Sequence, residues 1–257
     1  MFKSVKVLMA VLVCLAVSVP SFAQEDMPEM PQFSVIMAET VAPEMTAEYE
    51  EGTKKLMEVL KANNVPFPVW AWQESNGTYN YNVPVKNFAS IDEFSGHWAK
   101  AVAELRKSDW GKKRQAAIQS TKYTIWYNAT HLSFMPENPE LADNEIMYFQ
   151  VLTFRVSHSK ENAFNEVMMK MAAWSKDIGY RRPYSIHRNI IGEEGPVYVV
   201  VMPSKDPADH YNAMVSFMEK HGEAFAPLKT EMDKTVVSAT EAFGWMRMDL
   251  SLMSPGM

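Results

Sequence analysis

The reading turns on "TIWYNATHLSFMP", Thr124 to Pro136, because a similar phrase, "GWMRMDLSLMSP", Gly244 to Pro255, closes the chain. In both, a tryptophan is followed ten residues later by a proline, across an alternating run that reads as a strand. The segments ahead of the two phrases also match. Before the first come a strand, "FSVIMAETV", and a helix, "MTAEYEEGTKKLMEVLKANN". Two strand-like runs then flank Asn76-Gly77, a strong hairpin signal. A helix follows with Ser90 and Glu93 as a capping box, and a further helical piece runs from Ser108 to Gln119. Before the second phrase the same order returns: the strand "MYFQVLTFRV", a helix stopped by Gly179, and the hairpin "YSIHRNII"/"PVYVVVM" around "GEEG". A helix capped by Asp206 with Pro207 at its first position comes next, then the helical piece "EAFAPLKTEMDKTVVSAT".

Laid over one another, Phe94 falls on Tyr211, Trp70 on His187, Trp126 on Trp245 and Pro136 on Pro255, with a separation of 117 to 119 residues throughout. The strand recurs because the domain recurs. Each half reads βαββαβ, the ferredoxin-like order, so the fold class is α+β with two tandem ferredoxin-like repeats. On this element order and duplication the chain resembles the dimeric α/β-barrel superfamily. That group includes antibiotic-biosynthesis-type monooxygenases, chlorite dismutase-like haem proteins and NIPSNAP-like proteins. The resemblance implies two sheets that face each other to close a barrel within one chain, with helices outside. The expected divisions are a signal peptide at 1–23, a flexible leader at 24–32, the first repeat at 33–136, a polar proline-rich linker at 137–145 and the second repeat at 146–257. RNA-recognition modules share the strand order, but their basic-Gly-aromatic-Gly run is missing from "TYNYNVPV" and "VYVVVMP".

Residues 1–23 carry Lys3 and Lys6, a short apolar run and Ser21-Phe22-Ala23, which together read as an export signal. The expected location is therefore periplasmic or secreted, in a bacterial setting. The one cysteine, Cys14, lies within that signal, so the mature chain is expected to have neither disulfides nor thiol chemistry. The net charge of −6 becomes −8 once Lys3 and Lys6 are removed, which disfavours nucleic acid and anionic membrane surfaces as partners. A small-molecule partner and a monomeric or homodimeric state are expected.

Alternation assigns candidate site residues. In the last phrase Met246, Met248, Leu250 and Leu252 would meet the helices, which turns Trp245, Arg247, Asp249 and Ser251 toward the barrel interior. The matching face of the first phrase carries Trp126, Asn128 and Thr130. The second strand of each half adds Trp70 and Trp72, and His187 and Asn189. An aromatic concavity with a few convergent polar groups suits a small-molecule site. Each member has a plainer alternative: tryptophan packing, a hydrogen-bonded structural histidine, and an Arg247–Asp249 ion pair. His131 falls on the apolar side, and the clusters "MPEM" and "MMKM" read as core filler before copper ligands. No zinc spacing, phosphate loop or nucleophile elbow is present. The expected function is binding of a small apolar or aromatic molecule in the barrel cavity, without catalysis and without a cofactor. The alternative, implied by the resemblance, is an oxidative enzyme: a cofactor-free monooxygenase, or a haem protein with His187 as the axial ligand.

Overall fold

The computed structural model describes residues 31–253. The signal read at 1–23, Cys14, residues 24–30 and Pro255 lie outside the described residues. The first half comprises β1 (Phe33–Val41), α1 (Thr46–Ala62), β2 (Trp70–Glu74), β3 (Thr78–Val85), α2 (Phe88–Leu105), α3 (Asp109–Ala117) and β4 (Ile118–Asn128). The second comprises β5 (Tyr148–Val156), α4 (Glu161–Asp177), β6 (Ser185–Ile191), β7 (Val197–Ser204), α5 (Pro207–Asp233) and β8 (Val236–Met246).

All strand neighbours are antiparallel, and the order β1-β3-β2-β8-β5-β7-β6-β4 closes on itself. Each half contributes one four-stranded sheet. The sheets meet where Trp72 pairs with Met246 and where Asn128 pairs with His187. The architecture is the dimeric α/β barrel, made by one chain. The duplication extends to irregularities: β1 slips register on β4 between Thr40 and Val41, and β5 on β8 between Arg155 and Val156. A 3-10 turn precedes the first helix of each half, at Pro43–Met45 and His158–Lys160, and both helices have 17 residues.

Each sheet packs its outer face on helices. On α1 the buried stripe is Tyr49, Gly52, Thr53, Leu56 and Leu60, a helical spacing that aims one face at the sheet. These side chains meet Val35, Met37, Tyr79, Tyr81 and Val83 in the first core. The second core joins Phe164, Val167, Met168 and Met171 of α4 to Phe154, Ile186, Tyr198 and Val200. Burial of each large apolar side chain contributes about 1.5–3 kcal/mol.

Several local expectations are corrected. Asn87, not Ser90, caps α2: its side-chain oxygen accepts from the Ser90 N–H at 3.0 Å, so the helix starts three residues earlier. The second of the two helical pieces expected in the second half is not separate: its start continues α5, one helix of 27 residues with Pro227 inside it, and its end, Val236 to Thr240, belongs to β8. In the first half Ser108 caps α3 and Gly111 lies against the Leu105 carbonyl, where an added Cβ would sit 2.1 Å from the oxygen. That close turn splits α2 from α3, and the second half has no equivalent of it. Asp206 caps α5 as expected, accepting from the Asp209 N–H at 2.8 Å.

The two recurring phrases are only half strand. β4 ends at Asn128 and β8 at Met246, and each phrase then runs on as a short tail. Ser133 Oγ donates to the Ala129 carbonyl and accepts the Ile186 N–H at 2.8 Å; Ser251 Oγ donates to the Arg247 carbonyl and accepts the Ala71 N–H at 2.9 Å. Isolated bridges come next, Phe134 to Tyr184 and Leu252 to Val69. Leu132 is thereby buried in the second half's core, and Leu250 in the first half's. The phrase is written twice because each half finishes the core of the other. Among the described residues no helix is long and apolar enough to cross a membrane.

Candidate active site

The matching tails line up at a separation of 118, Leu132 on Leu250 and Phe134 on Leu252, so Tyr127 and not Trp126 is the counterpart of Trp245. A one-residue slip in a strand reverses its faces. Trp126 pairs with Ser34 and faces the barrel interior, 7% exposed, its indole N–H donating to Thr124 Oγ1 at 2.7 Å. Trp245 pairs with Tyr148 and lies on the helix side, ring to ring at 5.2 Å and 41% exposed. Arg247 and Asp249 follow it there, in a short turn and not in a strand. Arg247 forms ion pairs with Glu50 of α1 and with Asp249, at 2.5 and 2.9 Å, and covers the Tyr79 ring. The expectation that Trp245, Arg247 and Asp249 face the interior is overturned. Arg247, through Glu50, and Asp249, through Lys54 at 3.7 Å, bind the end of the second half to the first helix.

The other candidates do share the interior face. Trp72 packs edge-on against Phe149 at 5.8 Å, in room left by Gly244. Trp70 sits at the barrel mouth, 39% exposed. Asn189 donates to the carbonyl of Ile191 and accepts the Glu193 N–H within its own hairpin. His187 and Asn128 pair across the seam. Asn128 Nδ2 donates to the Pro31 carbonyl, which turns Oδ1 toward His187 Nδ1 at 2.8 Å; Ser185 Oγ lies 2.9 Å from Nε2. An amide oxygen only accepts, so Nδ1 carries the proton and Nε2 accepts from Ser185. Burial lowers the His187 pKa to about 4. Neither ring nitrogen has a lone pair left for iron, so a haem held by His187 does not fit. Among the described residues no three His, Cys, Asp or Glu side chains are grouped to hold a metal ion. His187 and Asn128 satisfy each other, the buried Trp72 indole N–H has no partner among the described residues, and neither of the two cavities that stand out lies inside the barrel.

One of those cavities, about 260 Å³, lies between the outer face of the first sheet and α2. Val35, Met37, Tyr81 and Val83 form the sheet wall, Phe94 and Trp98 the helix wall, and Tyr123, 60% exposed, stands at the rim. The Tyr81 ring leads out of this apolar space into a buried polar chain. Tyr49 Oη donates to Glu39 Oε2 at 2.5 Å, and Arg114 Nη2 donates to the same oxygen at 2.5 Å. Because the Tyr49 proton is committed to Glu39, the 2.6 Å contact between the two tyrosine hydroxyls has Tyr81 donating to Tyr49. Arg114 Nε donates to Thr53 Oγ1 at 3.0 Å. None of the five residues is more than 5% exposed. Burial pushes the Tyr81 hydroxyl up to about 12; burial, with the Tyr81 and Glu39 charges, raises Tyr49 well above its ordinary value. Both tyrosines are therefore protonated at neutral pH, and their two hydrogen bonds run in one direction, from Tyr81 through Tyr49 to Glu39.

The second half serves as an internal control. Register places Phe154 where Glu39 stands, since they pair with Tyr198 and Tyr79, and Val200 where Tyr81 stands. Helix phase places Phe164 at Tyr49 and Met168 at Thr53, and Met232 takes the position of Arg114. All five counterparts are apolar members or neighbours of the second core. The scaffold is thus built once without the chain, so folding does not require it. Replacing a buried ion pair with apolar residues is often neutral or stabilising. The chain was missed in the sequence, where its one mark is Glu39 interrupting the apolar row Phe33, Val35, Met37 and Val41.

No protein-family model matches the chain, and no curated protein does. Solved structures match its fold over most of its length. An anthrone oxidase-like protein aligns with TM-score 0.60 and 12% identity, covering 89% of this chain and 95% of its own. A putative monooxygenase from Lactobacillus acidophilus aligns with TM-score 0.52 and 13% identity, covering 88% and 97%. A mutant chlorite dismutase from Candidatus Nitrospira defluvii aligns with TM-score 0.54 and 7% identity, covering 86% and 93%. These proteins are all dimeric α/β barrels.

Proposed function

We propose that the protein is an oxidative enzyme that takes a small phenolic or enolisable aromatic into the pocket between α2 and the first sheet, using no resident cofactor. The observation that carries this reading is the one-way hydrogen-bond chain Tyr81–Tyr49–Glu39, anchored by Arg114 and replaced by apolar residues in the twin half. The aromatic walls favour a flat ring, and the volume is below the roughly 300–1,000 Å³ of most ligand cavities, which selects a compact one. A substrate proton passed to the Tyr81 oxygen is matched by the Tyr81 proton moving to Tyr49 and the Tyr49 proton to Glu39. The product is a bound carbanion or enolate, with the Arg114 charge to offset it. Such an anion gives its electrons to O₂ directly. For a ring methylene, R₂CH₂ and O₂ become R₂C=O and H₂O. The likeness to an anthrone oxidase-like protein and to a putative monooxygenase supports this chemistry. The export signal read in the first 23 residues leads us to place the reaction outside the cytoplasm.

The test is O₂ uptake by the purified protein with a panel of anthrones, hydroquinones and naphthols, with tryptophan fluorescence as an independent readout of binding. Turnover that Tyr81→Phe abolishes while binding persists supports the reading. Saturable binding with no O₂ uptake for any compound would leave a carrier and remove the enzymatic half. Turnover unaffected by Tyr81→Phe would remove the proton route.

A further inference from the structure

The second cavity, about 430 Å³, lies in the other half, between the exit of α4 and the start of α5. In the first half the same corner is shut. Phe67, two residues before the bridging Val69, packs its ring against Phe94 at 5.8 Å and His97 at 6.4 Å. Two residues before the bridging Tyr184 stands Arg182 instead, and the corner is open.

The charges around the opening are unequal. Arg182, 8% exposed, is held by both Asp209 oxygens at 2.6 and 3.1 Å and by Glu140 at 3.3 Å, so one buried guanidinium engages both carboxylates of the wall. The two remaining cations of the lining, Arg181 and Lys220, have no carboxylate partner among the described residues. Arg181 Nε donates to the Asn138 carbonyl at 3.0 Å, which positions the group without neutralising it. Lys220 makes no ion pair or hydrogen bond among the described residues. The same lining carries two aromatic rings, Phe217 and Tyr180, edge to face at 5.3 Å. Cations of this kind form charge-assisted bonds with a carboxylate, and the aromatic pair offers a surface for a ring.

We propose that this cavity is a second ligand site, for a small aromatic carboxylate whose anion meets Lys220 and Arg181 and whose ring lies on Phe217 and Tyr180. It is separate from the first pocket and does not depend on the reading of that pocket.

The experiment is calorimetric titration of the whole protein with benzoate and with benzamide, which keeps the ring and removes the charge. Benzoate binds saturably, and the amide binds at least about tenfold more weakly. Lys220→Glu weakens benzoate about tenfold, and adding Arg181→Glu weakens it further, with unchanged circular dichroism since both side chains are exposed. Trp98→Ala, in the other pocket, leaves the titration as it was. Equal affinity for acid and amide, binding indifferent to Lys220→Glu, no saturable binding, or loss with Trp98→Ala alone would each overturn the proposal.

Discussion

Tyr49 and Phe164 occupy the same place in the two halves: each ring lies 4.7 Å from the tyrosine of the neighbouring strand, Tyr79 or Tyr198, at interplanar angles of 48° and 43°. They differ by one hydroxyl, and that hydroxyl joins the pocket wall to a buried carboxylate. Tyr49→Phe therefore copies a packing the fold already uses. It should cost about 1.5–3 kcal/mol in urea unfolding, the worth of a hydrogen bond to a charged group, while lowering turnover of a substrate by about 100-fold or more. Equal losses of stability and activity would show that the hydroxyl serves the fold alone.

The twin half also predicts an inversion in a stability series. Glu39→Gln leaves the Arg114 guanidinium buried beside a neutral amide, and breaking such a pair costs about 3–5 kcal/mol. Changing the whole set to its counterparts, with Glu39→Phe, Tyr49→Phe, Thr53→Met, Tyr81→Val and Arg114→Met, removes charge and partner together. The five-fold variant should be more stable than the single one. Denaturant midpoints for the two proteins decide this.

His187 gives a pH dependence of definite sign. Burial holds its folded pKa near 4, below the ordinary 6.5, so the unfolded chain binds its proton first. Stability from this residue is complete above pH 6.5 and is lost as pH falls toward 4, by up to about 3 kcal/mol. His187→Asn should flatten the pH profile in that window relative to the natural protein, measured by chemical denaturation at several pH values. An unchanged slope would mean that the ring is solvated.

Gly244 lies where an added Cβ would sit 2.6 Å from the Phe149 ring and 3.0 Å from Trp72. Gly244→Ala forces one ring off its position at the seam between the sheets. The expected cost is about 1–3 kcal/mol, read as a lower Tm.

Leu250 is fully buried, yet the core it fills belongs to the opposite half of the chain. Leu250→Ala should cost about 2–5 kcal/mol, and Leu132→Ala a similar amount. Hydrogen exchange on the Leu250 variant should rise first in α1 and β2. Faster exchange confined to β8 would show that the tail steadies only its own strand.

Element order, both hairpins and the doubled domain could be read from the chain, because periodicity, turn residues and recurrence are local and survive without coordinates. Asp206 and Gly179 marked their helix ends for the same reason. The faces of the last strand could not be read. Trp126 and Trp245 look alike in sequence, but the true match is offset by one residue, and in a structure of period two that single step moves Trp245, Arg247 and Asp249 from the interior to the helix side. The pocket was equally out of reach. Glu39, Tyr49, Tyr81 and Arg114 come from four separate elements, and only the packing of α1, α2 and α3 on one sheet brings three of their polar groups onto a shared line beside a cavity. Local pattern determined which elements form and that they form twice; long-range register determined which side chains meet, because contact across a barrel depends on residues that no sequence window contains together.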